Sequence, residues 1–458
     1  MMELTVLRTM VVVVVVVVLV CGVESSTPPQ VVVSGGPIVG GVYRSAGGRH
    51  YYAYRAVPYA AAPVGDLKFQ NPVPPEPWTT PRMADAPGPF CVGGGRGYMT
   101  GEEDCLTVSV YTPVCIILSH QKPGDDTQSL PVLVWLPGGA FVVSGAAAYD
   151  PTILMDIDVV LVIPQYRLGI YGFLYMAEGA PGNYGLLDQV AALQWVQQNI
   201  GQFGGDPLRV TLAGDCAGGA SALYHMISPL SEGLFQGVIS LSGTPLNSWA
   251  RHLIARQTNF LYSIFTGCPR YSPSVLKGCF ADTNIDRMKL SLMTMSKSKT
   301  AGPDLLYIGN NNQAPVVQYQ HGDPQNRFLD EEPVIKFGQG NFAKLLSDAL
   351  YYSGYIALAR YLNDHVPTYL LSEIQVASTI PPGAGNLDPL HYFLPEEYQP
   401  FATEDQKKIS SNLLYIIKNF IADKVAIDNR RWPREPHNHQ GSWSRARRVH
   451  FEGTGRCI

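Results

Sequence analysis

Residues Ala213–Gly219, AGDCAGG, set Cys216 among glycines and small residues in the pattern of a sharp strand-to-helix turn, the kind that lifts a nucleophilic side chain into a pocket. Such turns ordinarily carry serine, and here the position holds cysteine. A thiol can serve as nucleophile, and a helix N-terminus favours the reactive thiolate. Acyl transfer also needs a base that takes the proton and hands it to the leaving group, and that base must come within hydrogen-bond reach of the sulfur. The chain has ten histidines. His225 falls in the helix after the turn and faces away from the pocket mouth, and His437 and His439 sit in a polar tail.

The elements that must position Cys216 follow from the apolar pattern. Gln30 to Tyr59 alternates and is punctuated by glycine pairs, which predicts twisted antiparallel hairpins, and the proline-rich Pro63 to Pro89 predicts an irregular surface loop. Beyond these come short apolar runs without alternation: Val132–Trp135, Val159–Ile163, Val210–Ala213, Val238–Leu241 and Thr368–Leu371. Such runs suit strands of a parallel sheet covered on both faces by helices. Leu187, Val190, Ala191, Trp195 and Val196 recur at helical spacing within Leu186–Ile200, with Gly201 as the expected stop. The predicted architecture is an α/β sandwich with an antiparallel N-terminal edge. No repeat or linker divides it.

The 458 residues, 46% of them apolar, can fill a large core, and a net charge of -4 gives no reason to invoke nucleic acid. Arg8, then an apolar run from Met10 to Val20 and small residues to Ser26, predict a secretory signal peptide over residues 1–25, the run being shorter than the ~20 residues a bilayer requires. A single domain over 26–458, exported and without a membrane span, is the expectation. Cys21 leaves with the signal, so seven of eight cysteines remain. Cys91 with Cys105 and Cys268 with Cys279 are the local pairs, and Cys115, Cys216 and Cys457 are left over.

Read in order, several segments resemble the type B carboxylesterase family of the α/β-hydrolase fold, which includes cholinesterases, insect juvenile hormone esterases and non-enzymatic neuroligin-like adhesion proteins. They are Tyr54–Tyr59 (YRAVPY), Glu103–Pro113 (EDCLTVSVYTP), Pro137–Phe141 (PGGAF), Gln165–Gly169 (QYRLG), Asn183–Gln189 (NYGLLDQ), Phe203–Pro207 (FGGDP), the Cys216 turn and Gly233–Phe235 (GLF). The likeness runs from about Val31 to the region of Trp432, and the two local cysteine pairs match the family's usual bridges. The resemblance implies a mostly parallel central sheet flanked by helices. It also implies an oxyanion hole made by the backbone N–H of Ala217 with those of Gly138 and Gly139, placed where negative charge appears during acyl transfer.

The rest of the triad departs from the family's pattern. The position of its histidine, in the loop Gly383–Phe393, holds Asn386. His391 lies five positions later and reaches the sulfur only if the loop is rebuilt. The acidic residue and the strand before it are absent, because Gly338–Phe342 runs directly into Ala343–Asp348 and a helical stretch over Ala349–Leu362 that resembles a much later part of the family; Glu331 and Glu332 read as loop carboxylates. The chain is thus shortened relative to the family between about 338 and 346. An interior strand contributes three or four apolar side chains at ~1.5 to 3 kcal/mol each, comparable with the ~5 to 15 kcal/mol stability of a domain. Either Val238–Leu241 and Thr368–Leu371 pair directly, or the recorded sequence is a defective gene model or splice form of an ordinary carboxylesterase.

Loss of a triad leaves only ~10³ to 10⁴ of catalysis over water. The expected function is therefore a secreted carboxylesterase-like protein without normal esterase activity, with Cys216 a small buried residue, and with a hydrophobic ester-like molecule or a protein as partner. The alternative is a weak ester or thioester hydrolase that uses Cys216. No cofactor or metal is expected. No tryptophan lies between Cys91 and Cys105, which disfavours choline esters. No Asn-x-Ser/Thr sequon occurs, and the arginines at 430, 431, 445, 447 and 448 read as a solvated tail.

Overall fold

The computed structural model describes residues 28–94, 100–114, 129–143, 145–176, 179–247, 249–250, 262–264, 266–269, 272–284, 286–289, 369–371, 393–395, 404–423 and 447–449. In chain order its strands are β1 (Gln30–Val33), β2 (Gly36–Val39), β3 (Gly41–Arg44), β4 (His50–Pro58), β5 (Arg82–Met83), β6 (Thr107–Pro113), β7 (Leu130–Leu136), β8 (Val160–Pro164), β9 (Gly205–Asp215), β10 (Gly237–Leu241), β11 (Tyr369–Leu371) and β12 (Arg447–Val449). The helices are α1 (Gly169–Phe173), α2 (Tyr184–Asn199), α3 (Ala217–Ile227), α4 (Pro273–Asp282) and α5 (Glu404–Asp423).

Seven strands form one sheet in the order β10-β9-β7-β8-β6-β4-β3. The pairs β10/β9, β9/β7 and β7/β8 are parallel, and β8/β6, β6/β4 and β4/β3 are antiparallel. The expected antiparallel N-terminal edge is present, and β1 with β2 forms a second hairpin that carries the two-residue β5.

Every residue of β7, LPVLVWL, is buried, as expected for a parallel strand covered on both faces. Alternation along the strand still divides its side chains. Val132, Val134 and Leu136 join the cluster that contains Trp195 and Val196 of α2 and Ala220 of α3. Leu133 and Trp135 join Leu413, Ile417 and Ile421, which recur every fourth residue along α5. Each such side chain removed from water stabilises by roughly 1.5 to 3 kcal/mol.

Two expectations are corrected, and one of two alternatives is decided. Gly201 does not end the helix: α2 passes into a 3-10 turn over Ile200–Phe203, because Ile200 and Phe203 are both buried, and Gly204 closes it at φ 79. β10 is half-buried along its whole length rather than covered on both faces. β10 and β11 do not pair; β9 is the partner of β10 among the described residues, and β11 pairs in parallel with β12, which also gives Arg447 and Arg448 a place in a strand. Residues 1–25, 331–332, 338–346 and 349–362 lie outside the described residues, as do Cys115, Asn386, His391, His437, His439 and Cys457. Among the described residues no helix is long and apolar enough to cross a membrane.

Candidate active site

β9 ends at Asp215 and α3 starts at Ala217, so Cys216 stands alone in the turn between them, at φ 49 and ψ -113. For a residue with a Cβ this region costs about 1 to 3 kcal/mol and persists only where the surroundings dictate it. Here they do. The Cys216 N–H donates to the carbonyl of Leu241 at 2.7 Å, at the end of β10. A Cβ on Gly218 would lie 1.9 Å from the Leu136 carbonyl oxygen, and one on Gly243 would lie 1.8 Å from the carbonyl oxygen of Cys216. Backbone therefore packs on backbone at the ends of β7, β9 and β10, leaving no room for a relaxed turn.

Three backbone amides, of Ala140, Ala217 and Gly139, donate toward the Cys216 sulfur. These would favour a thiolate, but burial, followed by the charge of Asp215, pushes the thiol above its ordinary value, and the upward influence prevails. Cys216 is an unpaired cysteine, and its residue keeps a partly exposed edge rather than being fully buried. The amide of Gly138 does not face the sulfur. It donates to the Tyr149 hydroxyl at 2.9 Å and to Asp215 Oδ1 at 3.2 Å. The loop that presents these amides is contorted, with φ 105 at Gly139, 55 at Ala140 and 62 at Phe141.

Side chains that the residue pattern does not single out surround this loop. The Tyr149 hydroxyl donates to Asp215 Oδ1 at 2.9 Å, and the Tyr166 hydroxyl donates to the Pro137 carbonyl at 2.6 Å. Burial raises the pKa of both phenols, with Asp215 adding to the rise, so both remain donors at any ordinary pH. Tyr166 has neighbours that tie the same stretch to two other parts of the fold. Gln165 Oε1 accepts from the Ala146 N–H at 3.0 Å, and the Arg167 guanidinium makes two bonds to the Asp188 carboxylate, of 2.8 and 2.7 Å. The family-like segment QYRLG is thus a strut between β8, the Pro137–Phe141 loop and α2.

The two described histidines, His50 and His225, do not serve the sulfur. His50 opens β4 opposite Arg44. His225 is buried, with Nδ1 2.8 Å from Ser231 Oγ and Nε2 2.8 Å from Gln189 Oε1. The bridges Cys91–Cys105 and Cys268–Cys279 are both formed. Among the described residues no group of three or more His, Cys, Asp or Glu side chains is placed to hold a metal ion.

A mixed, mostly parallel sheet with a strand–turn–helix presenting residue 216 beside a glycine loop defines an α/β hydrolase. The crystal structure of a juvenile hormone esterase from Manduca sexta, with OTFP covalently attached, shares this fold at a TM-score of 0.72, with 22% sequence identity over 89% of this chain and 92% of that one. The chain belongs to the carboxylesterase family, whose sequence model matches residues 27–334. It is 38% identical over 320 residues to a juvenile hormone esterase of Tribolium castaneum, covering 67% of this chain and 52% of that protein. It is 39% identical over 250 residues to a carboxylic ester hydrolase of Bombus ignitus, covering 52% and 43%. The chain spans about half the length of these curated relatives.

Proposed function

We propose that this protein is a secreted carboxylesterase relative that retains an anion-binding turn but does not turn over esters, and that its site binds a hydrophobic ester-like ligand. The feature that carries this is the setting of Cys216: three amides face the sulfur, yet burial and then Asp215 push the thiol above its ordinary value, which favours the protonated form. A protonated thiol is a weak nucleophile. Neither ring nitrogen of His225 is available as a base, since each already has a partner, and the histidine position of the family falls at Asn386. Two disulfides and the apolar N-terminal run support export.

A slow thiol hydrolase is the second reading, favoured by the placement of Cys216 at the N-terminus of α3 among three amides. One assay separates the two. With p-nitrophenyl acetate at pH 7.5, the wild type and Cys216→Ala are expected to release nitrophenol at the same rate. Turnover that disappears in Cys216→Ala, with a burst of acyl-enzyme lost in His391→Ala, would establish the hydrolase instead.

A further inference from the structure

The carbonyl of Pro137 and the N–H of Gly138 are the two polar ends of one peptide unit, and each end is held by a different buried tyrosine. Tyr166 donates to the carbonyl at 2.6 Å. On the other side the N–H donates to the Tyr149 hydroxyl, which in turn donates to Asp215 Oδ1. Tyr166 follows β8, Tyr149 follows the 3-10 turn Ala146–Ala148, and Asp215 ends β9, so three separate elements fix the plane of a single peptide. Tyr149 is itself wedged against Trp135, ring centroids 6.1 Å apart.

We propose that Tyr149 and Tyr166 are positioning residues that clamp the Pro137–Gly138 peptide, and that this clamp decides which loop amides face Cys216. This rests on the view above that the Gly139, Ala140 and Ala217 amides form an anion site. Turning the peptide over would point the Pro137 oxygen at the Asp215 carboxylate and the Gly138 N–H at the Tyr166 hydroxyl. The first contact is repulsive and the second breaks an existing bond. With the peptide locked, the Gly138 N–H is spent on Tyr149 and Asp215, and the next two amides along the contorted loop are the ones presented to the sulfur. Asp215 thereby serves the site without touching a ligand. Gly138 is required at this spot because a Cβ there would lie 2.2 Å from Asp215 Oδ2.

The test uses Tyr149→Phe and Tyr166→Phe with two probes. The first is the pH dependence of Cys216 alkylation by iodoacetamide, read by mass spectrometry on its own peptide. The second is 1,1,1-trifluoroacetone followed by fluorine NMR. The sulfur adds to the ketone carbon, the carbonyl π pair moves to oxygen, the thiol proton passes to solvent, and the new oxyanion rests on the amides. In both variants the thiol is expected to titrate at higher pH than in the wild type, and the adduct is expected to weaken by ~10-fold or more, toward the ~10² seen on loss of one oxyanion donor. Variants that titrate and bind as the wild type does overturn the clamp while leaving the anion site standing. A wild type that forms no adduct, with the alkylation profile still shifted in the variants, keeps the clamp and removes the anion site. If both variants fail to fold, a crystal structure of the wild-type chain soaked with trifluoroacetone decides: the Gly138 N–H on Tyr149 supports the clamp, and the Gly138 N–H turned to Cys216 or its adduct ends it.

Discussion

His225 sits on the buried side of α3, and Gln189 Oε1, which can only accept, puts its proton on Nε2 and leaves Nδ1 to accept from Ser231. Burial lowers its pKa from 6.5 to about 4. The unfolded chain therefore binds a proton here that the folded one does not between about pH 6.5 and 4, and stability falls as pH falls through that window, by up to about 3 kcal/mol. Urea midpoints taken from pH 7.5 to 4.5 should drop, and His225→Gln should flatten the slope; an unchanged slope would show that the ring titrates normally. Cys216 was legible in the sequence because glycines crowd a nucleophile turn in a fixed pattern. Tyr149 and Tyr166 were not, since their partners lie 11 and 29 residues away and a buried tyrosine offers no spacing to read. The Ala140 amide was hidden for a related reason: the shift from Gly138 to Ala140 is made by backbone dihedrals, which residue types do not announce.

α3 can approach β7 only because Gly218 has no side chain. Gly218→Ala would place a methyl 1.9 Å from the Leu136 carbonyl oxygen, and because that atom belongs to the backbone of a central strand it cannot swing aside. A loss of ~1 to 3 kcal/mol or more is expected from such overpacking. Gly201→Ala serves as the control: a Cβ there meets nothing within 4 Å, so it should be neutral or slightly stabilising in the same urea titration. Equal midpoints for the two variants would refute the packing account. The parallel strands were legible because burial on both faces leaves an unbroken apolar run, as in β7 and β8. α2 ends at Asn199, one residue from the expected Ile200, but the coiling goes on past Gly201 as a 3-10 turn, since glycine alone does not stop a chain in which Ile200 and Phe203 on either side of it are buried in the core. α5 was missed although Leu413, Ile417 and Ile421 mark one face; Tyr415, Ile416 and Phe420 lie between them and blur the period.

The molecule as a whole is also braced by covalent ties distant in sequence from residue 216. Cys91 and Cys105, 14 positions apart, are both buried in the largest cluster, and closing a loop of that size stabilises by ~3 kcal/mol in the chain-entropy model. The double substitution Cys91→Ser with Cys105→Ser should lower the unfolding free energy by about that amount, with Cys216 alkylation in the folded state unchanged. A faster alkylation would mean that the bridge also shapes the turn. Domain class and bridge pairing could be read from motif order over much of the chain, whereas the neighbours of β10 and β11 could not, because strand order depends on which partners are present and not on the strands' own residues. The turn at residue 216 carries a last implication. Everything that bends it, the Leu241 carbonyl, Gly218 against Leu136 and Gly243 against the turn's own oxygen, acts on main chain and ignores what residue 216 carries. A substitution at that one codon can therefore change the group presented and keep the architecture, so the turn dictates shape without dictating chemistry.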